Sequence, residues 1–199
     1  VVIADSCATY ANAVFDNYES MNSLSLALGA VYFAFQIYGD FSGYSDIALG
    51  TSKLFGIDLL KNFNYPYFSR DIAEFWRRWH ISLSSWLRDY LYISLGGNRK
   101  GKFRTYINLF VTMLLGGLWH GASWKFVVWG TLHGSALVVE RLFAAYFKIP
   151  KNWFVRFISV LITFHFVVFC WIFFRARDFA TAFQLIENIG KVQANFNQW

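Results

Sequence analysis

The sequence reads as an all-α, polytopic bundle of membrane helices, and three observations carry that reading. Of 199 residues, 56% are hydrophobic and only 15% are charged, whereas soluble domains average about a quarter charged. Aromatic residues make up 22% of the chain, and mean hydropathy is +0.35. Finally, long apolar runs alternate with short polar breakers. A chain of this length could bury a good core, but it lacks the polar residues to coat one.

The elements follow in order. Residues 1–21 are mixed in polarity and suit a helix or loop at a membrane edge. Residues 24–38 (LSLALGAVYFAFQIY) form an apolar run of 15, short of the ~20 that span a bilayer. The run passes into GDFSGYSDIALGTSKLFG, where Asp40 and Asp46 fall near membrane depth. Polar groups there need protein or cavity water, so this stretch is expected to pack inward.

NFNYP (62–66) is a breaker, because Pro66 disfavours helix at Tyr65. SRDIAEFWRRWHISLSSWLRDYLY then opens with Ser69 as the expected N-cap and Asp71 in the first turn. Its apolar residues recur at helical spacing from Ile72 to Leu91, with Arg77, Arg78, Ser84, Ser85 and Arg88 opposite. That pattern predicts one amphipathic helix at an interface or beside a cavity. Residues 153–174 are the clearest span, carrying only Arg156 and His165 as ionisable groups. The tail 177–199 is polar and predicts a helix with a ragged end.

Charge narrows the function classes. Net charge is +6, and eight Arg and Lys fall between Arg70 and Arg104 against Asp71, Glu74 and Asp89. Beside apolar segments such a cluster marks a cytoplasmic face in contact with anionic lipid. It comes without a nucleic-acid-binding module, so no nucleic-acid partner is expected. GGNRKGK (96–102) lacks the spacing of a phosphate-binding loop. Cys7 and Cys170 form no metal or disulfide pattern. No metal site is expected, since no HxxxH or HExxH pair occurs.

Four histidines remain: His80, His120, His133 and His165. An ionisable group inside a membrane is a functional candidate by default. His120, between Trp119 and Gly121 in GLWHGASWKFVVWGTLHG (117–134), is the foremost of them. On one straight helix His120 and His133 would lie about 20 Å apart on different faces, but Gly116, Gly117 and Gly121 can break that helix beside His120. His80 follows Arg77 and Arg78, whose charges would keep its ring neutral. His133 reads equally as structural or functional, and His165 as a packed or interhelically bonded residue. A buried neutral imidazole without a metal or a nearby nucleophile suits general-base catalysis. It takes a proton from a hydroxyl attacking an activated carbonyl. Exclusion of water would spare a thioester from hydrolysis.

YGDFSGYSDIALG (38–50), NFNYPYFSRDIAEFWRRWHISLSSWLRDYLYISLGGNRKG (62–101), GLWHGASWKFVVWGTLHG and CWIFFRA (170–176) together resemble the membrane-bound O-acyltransferase family. The likeness is to its bacterial branch, nearer the alginate-type polysaccharide acetylases than the D-alanyl transferases, and covers residues 30–176. It implies part of a helix bundle whose amphipathic and re-entrant helices line a tunnel, forming one partial membrane domain over 1–199. It also implies catalytic roles for His120 in WHG and His80 in RRWH. His133, Arg77, Arg78, Trp119 and Asp46 are the supporting positions. The implied activity is transfer of an acyl group, chiefly acetyl, from acetyl-CoA or another thioester to an exported polysaccharide. The implied setting is the bacterial inner membrane, in a multi-pass protein, with periplasmic acetylation proteins as partners and no bound cofactor. Family members are more than twice as long, so the chain is expected to be an excerpt that is inactive alone. Two rivals are a scaffold relaying acyl groups to a periplasmic acetylase and a transporter fragment with a proton-relay histidine. The second would call for internal repeats, which the sequence does not show.

Overall fold

The computed structural model describes residues 2–147, 150 and 152–191. The regular elements among those residues are all helical, without a strand. The helices are α1 (Val2–Asp16), α2 (Ser23–Leu54), α3 (Ile72–Arg78), α4 (Ile81–Trp86), α5 (Lys102–Trp119), α6 (Trp124–Tyr146), α7 (Trp153–Arg175) and α8 (Phe179–Gly190). A 3₁₀ turn at Pro66–Phe68 and a π-helical turn at Leu87–Tyr92 interrupt the chain around α3 and α4.

Two helices, α2 and α7, are long and apolar enough to cross a membrane. The α2 helix corrects one expectation. The apolar run does not stop at the glycines, and Gly39, Asp40, Gly43 and Asp46 all lie inside one 32-residue helix. Each helical glycine costs about 1 kcal/mol against alanine, but here Gly39 lets α1 come close. A Cβ on it would meet the Ala4 Cβ at 3.1 Å. Nor does the stretch pack inward. Ser45 alone is buried among residues 39–50, while Asp40 and Asp46 are exposed.

The α5–α6 hairpin is a second close approach. A Cβ on Gly130 would stand 2.6 Å from the Met113 carbonyl oxygen, so only glycine permits this helix contact. Small residues at such a crossing are the usual device of membrane helices, which lack a hydrophobic drive to associate. Lys125 ties the same hairpin to α7, donating to the Ala176 carbonyl at 2.7 Å. The helix thereby gains a cation at its C-terminal end.

Between the hairpin and α2 and α7 lies an aromatic core built on Phe33, Phe75, Trp79, Trp129 and Trp171. Trp79 packs edge-on to Phe63 at 5.0 Å and against Trp171 at 5.1 Å. The exterior is different. The chain exposes 12697 Å², against about 9,700 Å² for a compact soluble monomer of this mass. Much of the excess is apolar, including Leu54, Tyr146, Trp153 and Trp124. The polar tail forms α8 as far as Gly190, with Asp178 accepting from the Thr181 amide at 2.8 Å as its N-cap. Residues 192–199 of that tail lie outside the described residues.

Candidate active site

Residues 69–92, expected as one helix, are broken at Trp79–His80 into α3 and α4. His80 takes a left-handed conformation, φ 44° and ψ 57°. For a side chain with a Cβ this costs of order 1 kcal/mol or more, and the neighbours must hold it there. They do so through Asn62. Its carbonyl oxygen accepts the Ile81 amide at 3.0 Å, and its Oδ1 accepts the Ser82 amide at 3.1 Å and hydroxyl at 2.7 Å. The breaker before Pro66 thus serves as a clamp on the helix break.

The N-cap of α3 is Asp71, bonded to the Glu74 amide, and not Ser69. Ser69 is buried and donates to the Pro66 carbonyl at 2.6 Å. Glu140, from α6, accepts the Ile72 amide at 2.7 Å and the Ala73 amide at 3.3 Å. The short helix is therefore capped twice, once locally and once from a neighbouring helix. Glu74 is buried between Arg70 at 2.9 Å and Arg78 at 2.7 Å. Burial alone would raise its carboxyl, but hydrogen bonds from the Arg70 side chain and backbone, with the charges of Arg78 and Arg70, prevail and hold it at about 2.

The break turns His80 onto a cavity of about 100 Å³ that it shares with His120. Trp76, Trp79, Trp129, Trp171, Phe41 and Phe174 form most of the remaining wall. The helix break at Gly121 places His120 as the C-cap of α5. Its ring stands edge-on to Trp129 at 5.3 Å and to Phe174 at 5.1 Å. His80 meets Phe41 edge-on at 4.6 Å. Ser82 Oγ gives its proton to Asn62 and lies 3.4 Å from His80 Nδ1. A proton in that contact must come from the ring, which leaves Nε2 as the basic nitrogen. Burial first, and His120 second, pull the His80 pKa down to about 4. The arginines expected to do this do not, because Arg78 is turned onto Glu74 and Arg77 points outward, 4.0 Å from Asp71.

The other expected residues separate. His133 is fully buried beside the cavity and accepts from Trp76 Nε1 at 3.3 Å through Nδ1. Trp119 is 64% exposed and, although its ring meets His120 edge-on, it does not line the cavity. Asp46 does not line the cavity either. His165 is neither packed nor bonded between helices. It is exposed, and its Nδ1 lies 2.8 Å from the Leu161 carbonyl of its own helix. A larger groove of about 520 Å³ adjoins the cavity, bordered by Arg77, Arg88 and Arg141 with Ser84 and Ser85. Sequence reasoning did not single out Asn62, Ser82 or Glu140. No local signal marks them, since their partners lie on other elements.

A model of the membrane-bound O-acyltransferase family matches residues 11–181. The chain belongs to this family. It is 48% identical over 94% of its length to the protein named "Probable alginate O-acetylase AlgI" in Pseudomonas aeruginosa, of which it covers 35%. It is 43% identical over 95% of its length to the peptidoglycan O-acetyltransferase of Helicobacter pylori, covering 36% of it. It is 34% identical, over 74% of its length, to the teichoic acid D-alanyltransferase of Streptococcus thermophilus, covering 40% of that protein. The chain thus spans little more than a third of the relatives it matches. The higher identity to the acetylases agrees with the finer resemblance drawn from the motifs.

Proposed function

We propose that the whole protein is an O-acetyltransferase of the bacterial inner membrane, acting at the chamber between His80 and His120. The acyl donor is acetyl-CoA or another acetyl thioester, and the acceptor is a hydroxyl of an exported polysaccharide. One observation supports this reading above the rest: two histidines distant in sequence and on different elements converge on one small aromatic cavity. Relatives named as alginate and peptidoglycan acetylating proteins point to the same class of acceptor.

His120 acts as the general base. Its neutral ring takes the proton of the acceptor hydroxyl as that oxygen bonds to the thioester carbonyl carbon. Collapse of the tetrahedral intermediate breaks the C–S bond, and the departing thiolate takes the proton back from the imidazolium. Atoms and charge balance without metal or redox chemistry. His80 lies across the chamber with an orienting hydroxyl, Ser82, behind it. Aromatic walls keep water from the thioester, so transfer outruns hydrolysis. Periplasmic acetylation proteins receive or deliver the polysaccharide.

General-base catalysis contributes about 10²–10⁴-fold. His120→Ala in the full-length protein should therefore lower acetyl transfer from labelled acetyl-CoA by about that factor, with membrane insertion unchanged. Transfer at the wild-type rate would remove His120 from the mechanism.

A further inference from the structure

Trp76 occupies a singular position. Among the described residues it alone lines both the two-histidine chamber and the arginine-bordered groove. It is the one residue common to a space of about 100 Å³ and one of about 520 Å³, which makes it the candidate wall between them. The ring is fixed on two sides. Trp129 meets it edge-on at 5.6 Å, and its Nε1–H donates to His133 Nδ1 at 3.3 Å.

His133 accepts this bond at a cost to itself. To accept at Nδ1 the ring must carry its proton on Nε2, and that Nε2 is buried without a partner. An unsatisfied buried polar group costs about 1–3 kcal/mol. A phenylalanine or leucine would fill the same apolar site without that penalty. What histidine adds is one acceptor aimed at the Trp76 indole.

Chamber size gives the wall a meaning. Each water in the liquid occupies about 30 Å³, so about 100 Å³ holds roughly three heavy atoms. An acetyl group has three. A longer acyl chain would need the space behind Trp76. We propose that Trp76 sets the length of acyl group the chamber accepts, and that His133 is the positioning residue that holds this wall in place. The inference rests on the acyl-transfer reading of the chamber and adds to it the determinant of chain length.

The test uses the full-length protein in vesicles with acetyl-, butyryl- and hexanoyl-CoA, in wild type and in Trp76→Ala, Trp76→Phe, His133→Leu and His133→Asn. A pocket rejects excess methylenes by about tenfold or more each. Trp76→Ala should raise the hexanoyl-to-acetyl ratio of transfer at least about tenfold. His133→Leu, which frees the indole, should move the ratio the same way. His133→Asn, which places an oxygen near the Nδ1 position, should hold it closer to wild type. An unchanged ratio in Trp76→Ala, or equal effects of His133→Leu and His133→Asn, would overturn the proposal.

A second readout does not need turnover. Carbethoxylation of His80 and His120 by diethyl pyrocarbonate, read by mass spectrometry, should accelerate several-fold when Trp76→Ala joins the chamber to the groove. Labelling at the wild-type rate would show that Trp76 is no wall. Faster labelling in a protein that transfers no acyl group from any donor would leave the wall standing. It would overturn its sizing role together with the acyl-transfer reading.

Discussion

At the scale of single residues, His80 is where backbone and chemistry meet. Its left-handed conformation is one that histidine, asparagine and aspartate adopt several-fold more readily than other residues bearing a Cβ. This separates the fold's demand from the reaction's. His80→Asn keeps a residue tolerant of the conformation and removes the imidazole. Its thermal midpoint in detergent should stay within about 2 °C of wild type, consistent with a change of a few tenths of a kcal/mol. Transfer should fall by about 10²-fold or more. A variant that unfolds early yet transfers normally would make His80 purely structural. Protonation follows from the same geometry. With its pKa pulled down to about 4 by burial and by His120, His80 is neutral at physiological pH. Because the folded value lies below the ordinary one of about 6.5, the neutral ring's contribution to stability is complete above pH 6.5. It is lost as the pH falls toward 4. The rate of transfer should therefore show no limb between pH 6 and 8 that disappears in His80→Asn.

At the scale of elements, the segment 62–92 shows what a linear pattern can and cannot convey. Helical spacing from Ile72 to Leu91 was legible and real on both sides of Trp79 and His80, since the rest of the stretch is helical. The break at His80 was not, because no glycine or proline marks it. It is imposed by Asn62 and by packing of Trp79 onto Phe63 and Trp171. Likewise the stretch 39–50, read as packing inward for its polar residues, continues α2, and Gly39 serves a helix-to-helix contact with Ala4. Family resemblance implied a role for each of His80 and His120, but not their convergence, because no periodicity joins residues on separate elements. The α3 helix itself depends on Glu74, clamped by Arg70 and Arg78, and on the remote cap Glu140. Removing Glu74 leaves two arginines that reach solvent, so the cost falls below the ~3–5 kcal/mol of a fully buried pair. Glu74→Gln should accordingly lower the unfolding midpoint of the full-length protein by several degrees. The Glu74 carboxyl, held at about 2 in the fold, has an ordinary value near 4.3. Its stabilisation is present above that ordinary value and is lost as the pH falls toward 2. The gap between wild type and Glu74→Gln should therefore narrow in that acid window, and a constant gap would exclude the ion pairs as its source.

At the scale of the molecule, the positions of charge and chamber along α5 imply a direction. The helix begins at Lys102, just after Arg99 and Lys100, and ends at Trp119, next to His120. Its 18 residues rise about 27 Å, close to the hydrocarbon thickness of about 30 Å. The basic turn and the two-histidine chamber are thus near opposite ends of one helix. The turn is held in place by Asn108, which donates to the Gly97 carbonyl at 2.9 Å. Positive charge beside apolar segments is retained on the cytoplasmic side, and that orientation puts the chamber toward the opposite face. The arginine-bordered groove, lined by Leu109, Thr112 and Met113 of the middle of α5, then lies between cytoplasm and chamber. Counted from the cytoplasm, the groove, Trp76 and the two-histidine chamber then follow in that order. Arg99→Cys, in a full-length protein whose native cysteines have been replaced, tests the orientation. An impermeant maleimide should label it in inside-out vesicles and leave it untouched in intact cells with a permeabilised outer membrane. Labelling in those cells would reverse the chain in the membrane. The chamber would then face the cytoplasm and the basic turn the outside.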